Sequence, residues 1–270
     1  MQAYLCETCG VQYSPASNPP DHCLICEDER QYVNWGGQAW TTLAELRATE
    51  HKNTFQLAEA GLWEISTEPG FAIGQRALLV QTPKGNLLWD CTCLVDQEII
   101  KTIQKMGGLF AIAISHPHFY SSMVEWSHTF GGIPIYLHSA DSKWVMRPDP
   151  SIKYWSGDSI SLAEEVTLIR VGGHFEGSTA LHWASGAGGK GVLLSGDMPQ
   201  VVSDRRFVSF MRSYPNLIPL SARAIQAVLG NLQGFSYDRL YGGWSGRVVK
   251  SDAKAIVDRS AERYLKAIES

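Results

Sequence analysis

Three short apolar runs in this chain each end on histidine or aspartate, and that shared address constrains the fold more than any other feature. His116 and His118 follow LFAIAIS, His174 follows VTLIRV and the pair Gly172-Gly173, and Asp197 follows VLLS and Gly196. A polar residue just past the C-terminal end of an apolar strand sits at the edge of its sheet, so these four side chains share one edge. His-x-His turns two imidazoles to one side of an extended segment, and the small residues before His174 and Asp197 let those turns come close. Three neutral nitrogens and one carboxylate suit zinc or iron(II). Taken singly, His-Pro-His is more often a loop and Gly-Asp more often a turn. Their conjunction carries the reading.

The remaining pattern is that of a layered α/β protein. Phe71 to Val80 and Asn86 to Cys91 flank the turn signal Thr82-Pro-Lys-Gly-Asn86 and read as a hairpin. Asp96 to Met106 carries Ile99, Ile100, Ile103 and Met106 at helical spacing and stops at Gly107-Gly108. Strands are expected at 109–115, 133–137, 166–171, 180–183, 192–194 and 239–241, and helices at 121–130, 221–232 and 251–268. Cys91 and Cys93 face one side by period two and read as buried structural thiols.

At the N-terminus a different metal arithmetic appears. Cys6-x2-Cys9 and Cys23-x2-Cys26 are two knuckles thirteen residues apart, with Gly10 after the first pair and Pro19-Pro20 stiffening the loop between. Four thiolates close a tetrahedron on one ion; two disulfides or four free thiols are the alternatives the spacing disfavours. CETCGVQYSPASNPPDHCLIC resembles the rubredoxin-like ribbon of rubrerythrins and zinc ribbons in general, with Leu24 where the rubredoxin knuckle usually has proline. Zinc is the expected metal at both centres, with iron as the alternative at either. We divide the chain into a ribbon over residues 1–40 and a main domain over 41–270, joined by the helix TTLAELRATE capped by Thr41 or Thr42.

Charge argues against nucleic acid as a partner. Residues 1–40 hold Glu7, Asp21, Glu27, Asp28 and Glu29 against Arg30 alone, a balance of −4 that equals the −4 of the whole chain. The other 230 residues are neutral in sum, so no strong basic field exists for phosphates. No apolar stretch approaches the roughly 20 residues of a membrane span, and MQAYLCETCG does not read as a secretory signal, so a cytoplasmic protein is expected.

In chain order, SHPHFYSS, GGHFEGST and LLSGD resemble the successive metal motifs of the metallo-β-lactamase superfamily, over roughly residues 55 to 270. The resemblance implies a four-layer αββα sandwich with metal at one sheet edge. It implies that His116, His118 and His174 form the first metal site and that Asp197 is the carboxylate that usually bridges two metals. The second site departs from the family. Where members read His-x-His-x-Asp-His, this chain has Tyr120 and Ser121, and the late strand that usually delivers a histidine ends as Tyr241-Gly-Gly-Trp244. A mononuclear centre is therefore expected, with Asp197 as its fourth or a weak ligand.

One metal still activates water and polarises a carbonyl, so hydrolysis of a small ester, thioester or amide is the expected activity. Asp197 is the candidate general base and Tyr120 the candidate donor to an oxyanion. Two other readings start from the same residues. His116, His174 and Asp197 match the facial triad of mononuclear iron persulfide dioxygenases, and a non-catalytic binding protein would keep the metal without turnover.

The other histidines, His22, His51, His128, His138 and His182, read as structural, with His128 and His138 as the alternative source of second-site ligands. Asp90 and Asp141 follow strands and are candidates for orienting the ligand imidazoles. Between Asp197 and Ser221 runs a long connector, in which Arg205, Arg206 and Arg212 are candidate clamps for an anionic substrate. Its Phe207, Phe210, Met211 and Tyr214 are candidates for a lid or a homodimer contact.

Overall fold

The computed structural model describes residues 1–269. Its main body is two sheets packed face to face. The first has seven strands in sequence order: Lys52–Glu59, Leu62–Glu68, Ala77–Thr82, Gly85–Trp89, Ala111–Ala113, Ile135–His138 and Ile152–Trp155. Its pairing is antiparallel through Gly85–Trp89 and parallel beyond, where helices make the crossovers. The second has six strands, also in sequence order: Ser159–Ala163, Val166–Arg170, Thr179–Trp183, Val192–Gly196, Arg239–Gly242 and Val248–Val249.

Period-two alternation sorts the apolar strands between layers. Leu78, Val80, Leu87, Trp89, Ala111 and Ala113 face the second sheet, where they meet Leu168, Leu181, Leu194 and Tyr241. The alternate residues Leu79, Leu88 and Ile112 face outward onto Ile99, Ile103, Val124 and Trp126 of the helices Gln97–Lys105 and Met123–Thr129. On the far side, Ile169, Ala180, Leu193 and Leu240 lie under Ile225, Val228, Ile256 and Val257 of the helices Ala222–Leu232 and Ala253–Glu269. These strands are apolar on both faces because both faces are covered, and the result is the expected four-layer αββα sandwich.

Helix starts follow the sequence closely. Thr42 and Glu45 form a reciprocal capping box for Leu43–Ala48, Asp96 caps Ile99 N at 2.9 Å, and Ser221 caps Ala224 N at 3.3 Å. One expectation needs correction, and one hairpin was not expected. The hairpin strand begins at Ala77 rather than Phe71, because Phe71–Gly74 closes a turn and Arg76 is withdrawn into the interior. The hairpin of Lys52–Glu59 and Leu62–Glu68 escapes pattern reading, since its outer strand lies at the sheet edge and carries no buried residue.

The N-terminal four-cysteine segment packs on the outer layer of the first sheet. Tyr4–Cys6 pairs with Trp40–Thr42, and the first knuckle closes through Gly10 N to Cys6 O at 2.8 Å with Gly10 at φ +81°. Leu5, Val11 and Ile25 share a core with Leu46, Leu94 and Met123. Among the described residues, no helix is long and apolar enough to cross a membrane.

Candidate metal centre

His116, His118, His174 and Asp197 meet at one edge of the sandwich, all buried, with one ligand atom from each within 4.8 Å of the others. Each is delivered by backbone the sequence builds for the purpose. His116 precedes and His118 lies within a 3-10 turn, Pro117–Phe119, that follows the strand Ala111–Ala113. His174 follows Gly172 and Gly173, both at positive φ. Asp197 follows Gly196 at φ +54°, where a Cβ would lie 2.6 Å from Ser115 Oγ and 3.5 Å from His116 Nδ1. Only glycine lets that strand end pass so close to the His116 loop.

The donor geometry matches a small ion. His118 Nδ1 lies 3.3 Å from His174 Nε2, and Asp197 Oδ2 lies 3.5 Å from His116 Nε2 and 3.7 Å from His174 Nε2. Metal–nitrogen bonds of about 2.0–2.1 Å place tetrahedral donors roughly 3.3–3.4 Å apart, close to these separations. His116 Nε2, on the donor side of its ring, is buried without a hydrogen-bond partner, a costly state for a polar atom unless something else takes its lone pair. The outer nitrogens of the other contacts are held: His116 Nδ1 meets Ser115 Oγ at 3.0 Å, and His174 Nδ1 donates to Met211 O at 3.3 Å.

Electrostatics keeps the donors in binding form. Burial, reinforced by neighbouring histidines, holds His118 well below the usual imidazole range and His174 at about 3. Burial pushes the Asp197 carboxyl up, but its hydrogen bond and charge interactions with His116 and His174 outweigh that, so it stays ionised. A neutral His118 and His174 beside an ionised Asp197 are in the protonation states a divalent cation requires.

The cysteines form a second buried group. Cys6 and Cys26 sulfurs are 3.6 Å apart, as are those of Cys9 and Cys23, and none of the four is in a disulfide. A disulfide needs about 2.05 Å, whereas sulfurs on a tetrahedral metal at about 2.3 Å stand roughly 3.8 Å apart. Gln38 Nε2 donates to Cys6 Sγ at 3.2 Å and Tyr13 OH to Cys23 Sγ at 3.5 Å.

Gly243, just past the strand Arg239–Gly242, has its Cα so near the Phe119 ring that a Cβ would lie 2.4 Å from Phe119 Cζ. Ser121 turns inward to accept from Gln75 Nε2 at 2.6 Å. His128 and His138 supply nothing here: His128 pairs with Asp149 at 2.9 Å, and His138 binds Ala140 N and Gly157 O. His182 donates to Ser236 O. Cys91 and Cys93 are buried, with Cys93 Sγ against Gly10 O.

A cavity of about 780 Å³ opens beside the metal donors, lined in part by His118, His174, Asp197, Gln200, Trp244 and Arg247. Several sequence expectations are relocated by it. Tyr120 is packed in the core with Met123 and Val124 and is not on the cavity wall, so it is not placed to meet an oxyanion. Arg205 donates to Gly246 O and Val202 O, Arg206 pairs with Asp204 at the surface, and Arg212 pairs with Glu29 of the ribbon. None of these three arginines lines the cavity, because each has a nearer acceptor. Phe210 is wholly buried against Tyr264, Phe207 is covered by Arg263, and Met211 accepts from Tyr264 OH, so this part of the connector is clamped to the C-terminal helix. Tyr214 does reach the cavity, with its hydroxyl held by Asp197 O and Ser209 O.

Asp90 and Asp141 act on backbone rather than on imidazole. Asp90 Oδ1 accepts Ser115 N at 2.7 Å, and Asp141 Oδ1 accepts Gly177 N at 2.8 Å. Burial pushes them up to about 7 and about 6 respectively. The residues that sequence reasoning missed are Arg30, Gln31, Tyr32, Gln200 and Arg247. Gln200 Nε2 donates to Asp197 Oδ1 at 3.2 Å, while Gln31 and Tyr32 carry the ribbon onto the cavity wall. A usable signal existed for Arg30, the lone cation in an acidic segment.

No protein-family model matches the chain. The protein YmaE of Bacillus subtilis (strain 168), itself uncharacterized, is 48% identical over 271 residues, spanning 100% of this chain and 98% of the relative. Among solved structures, the metallo-β-lactamase DIM-1 exposed to ceftazidime superposes with a TM-score of 0.59 at 13% identity, covering 80% of this chain and 98% of the other. VMB-1 gives 0.60 at 14% identity with coverages of 80% and 98%. The metallo-β-lactamase FIM-1 from Pseudomonas aeruginosa, in its mono-zinc form, gives 0.57 at 16% identity with coverages of 78% and 95%. The chain therefore belongs to one family with YmaE, and its fold is that of the metallo-β-lactamases, extended at the N-terminus by a four-cysteine ribbon.

Proposed function

We propose that the protein is a mononuclear metallohydrolase acting on a small ester, thioester or amide. The observation that supports this best is the convergence of three imidazoles and one carboxylate at one edge of a cavity. FIM-1 in its mono-zinc form is a precedent within the fold for a single ion. Zinc held by His116, His118, His174 and Asp197 would supply an activated water and Lewis acidity towards a carbonyl.

The chain's own residues would do the rest. Gln200 binds Asp197 Oδ1 and thereby turns Oδ2 towards His116 and His174, where it is positioned to take a proton from attacking water. Ser115 and Met211 fix two imidazole rings from behind. Trp244 and Ile73 give the cavity apolar wall against which a substrate body excludes water. Three histidines converging with Asp197, rather than the two of a facial triad, favour this over the iron dioxygenase, and water would enter as a fifth ligand.

Elemental analysis of the purified protein tests the metal reading. About two zinc ions per chain are expected, falling to about one in Cys6→Ser/Cys9→Ser. A third ion would overturn the mononuclear assignment, and iron remaining in the variant would favour the dioxygenase. A panel of thioesters, lactones and aryl esters tests turnover, which should vanish in His116→Ala. Metal retention with no turnover on any of them would leave a binding protein.

A further inference from the structure

Positive charge on the cavity wall comes from one residue. Arg247 is the sole lysine or arginine lining it, and among the described residues no carboxylate pairs with this guanidinium. Arg76, Arg206, Arg212 and Arg239, by contrast, are each neutralised by an acid. The side chain of Arg247 has a single protein partner, Nη1 to Ser203 Oγ at 3.1 Å, and Ser203 also lines the cavity. Nη2 and Nε are left free to donate, and the Ser203 hydroxyl keeps its own proton for a ligand.

The backbone beneath Arg247 is rigidly tied to the metal edge. Gly242 N donates to Arg247 O at 2.9 Å, and Gly243 N donates to Gly196 O at 3.2 Å, one residue before Asp197. Buried Arg76 clamps the same turn from below, donating from Nε and Nη2 to Gly242 O at 2.9 and 2.7 Å. A guanidinium without a counter-charge, on a turn tied to the metal edge, is placed to meet an anion in the cavity.

We infer that Arg247 is the anion-binding residue of this cavity and that its ligand is a carboxylate carried by the substrate. One guanidinium balances one negative charge, and its planar fork matches the two oxygens of a carboxylate. A phosphate dianion would leave one of its two charges without a second lysine or arginine on the cavity wall. That the carboxylate belongs to a substrate rests on the hydrolytic reading above; the anion site itself does not.

The test is therefore binding rather than turnover. The metal-loaded protein is titrated by calorimetry with 4-phenylbutyrate, its neutral isostere 4-phenylbutyramide, and phenyl phosphate. The carboxylate should bind at least tenfold tighter than the amide. Arg247→Gln should erase that ratio while leaving amide affinity and melting temperature unchanged, and Arg247→Lys should keep part of it. Equal affinities in the wild type would overturn the proposal. So would a ratio that survives in Arg247→Gln, which would put the carboxylate on the metal instead. Phenyl phosphate binding tighter than the carboxylate would overturn the choice of anion. Loss of hydrolysis in the panel above with the binding ratio intact would count against the activity alone.

Discussion

The Arg30 guanidinium donates from Nε to the carbonyl oxygen of His174 at 2.7 Å, joining the ribbon to a metal-ligand residue 144 positions further along the chain. Arg30 lies four residues beyond Cys26, is buried, and is held by Asp28 at 2.7 Å. Its cation sits 4.4 Å from the centroid of Phe175, whose ring in turn packs against those of His116, His118 and His174. The ribbon is thus part of the scaffold of the main centre.

It follows that Arg30→Met should weaken metal binding at the histidine centre about 10- to 100-fold, the usual effect of removing a residue that orients a ligand. The ribbon should keep its own ion. Competition with a chromophoric chelator, read together with metal content, measures both, and unchanged affinity at the histidine centre would show that the two parts are energetically separate.

How much of this was legible beforehand depends on sequence distance. The ligand addresses His116, His118, His174 and Asp197 are local, because a run of apolar residues and a following glycine suffice to mark a strand end. The capping residues Thr42, Asp96 and Ser221 are local too. Arg247, Gln31 and Arg30 reach the site through contacts with residues far away in sequence, and no spacing rule encodes those. The arginines at 205, 206 and 212 misled for the converse reason. Their charge is visible in sequence, but the partners that neutralise it, Asp204 and Glu29 among them, are assigned only by folding.

Gly196→Ala should disable the centre without unfolding the protein. Its Cβ would strike Ser115 Oγ and Cβ at 2.6 and 2.7 Å, and φ is +54°. Displacement of either loop separates Asp197 from His116. We expect about 1–3 kcal/mol of destabilisation from the overpacking and loss of the histidine-centre metal. Circular dichroism melts and metal content read the two effects separately, and a variant that keeps its full metal complement would show that the strand end can relax.

Phe119 and Gly243 should behave as a coupled pair. Gly243→Ala alone forces a methyl into the Phe119 ring and should cost about 1–3 kcal/mol. Phe119→Leu alone leaves a void and should cost about 1 kcal/mol or more. The double variant should be more stable than the sum of the two losses implies, because each change relieves the other. Additive losses in denaturant titrations would mean that the ring and the glycine do not share this space.

Buried Arg76 gives the protein an acid-sensitive clamp. Its Nη1 meets Glu64 at 2.5 Å, with side-chain exposures of 1% and 17%. Burial pushes the Glu64 carboxyl up, but the Arg76 charge and the hydrogen bonds from Ser245, Arg76 and Ser66 more than reverse this, leaving it below its ordinary value. A carboxylate whose pKa is lower in the folded state stabilises the fold above the unfolded value of about 4.3 and loses that contribution as pH falls through the folded value. Glu64→Gln should therefore be less stable than wild type at pH 7 by about 3 kcal/mol, since it leaves the Arg76 guanidinium buried without a counter-charge. The difference between the two proteins should hold from neutral pH to about pH 5 and shrink below about pH 4. Urea melts of both across pH 3 to 7 would follow it, and a gap that stayed constant to the lowest pH would mean that Glu64 is not ionised against Arg76. Because Arg76 also holds the carbonyl of Gly242, the same titration should loosen the turn that carries Arg247 before the sandwich itself unfolds.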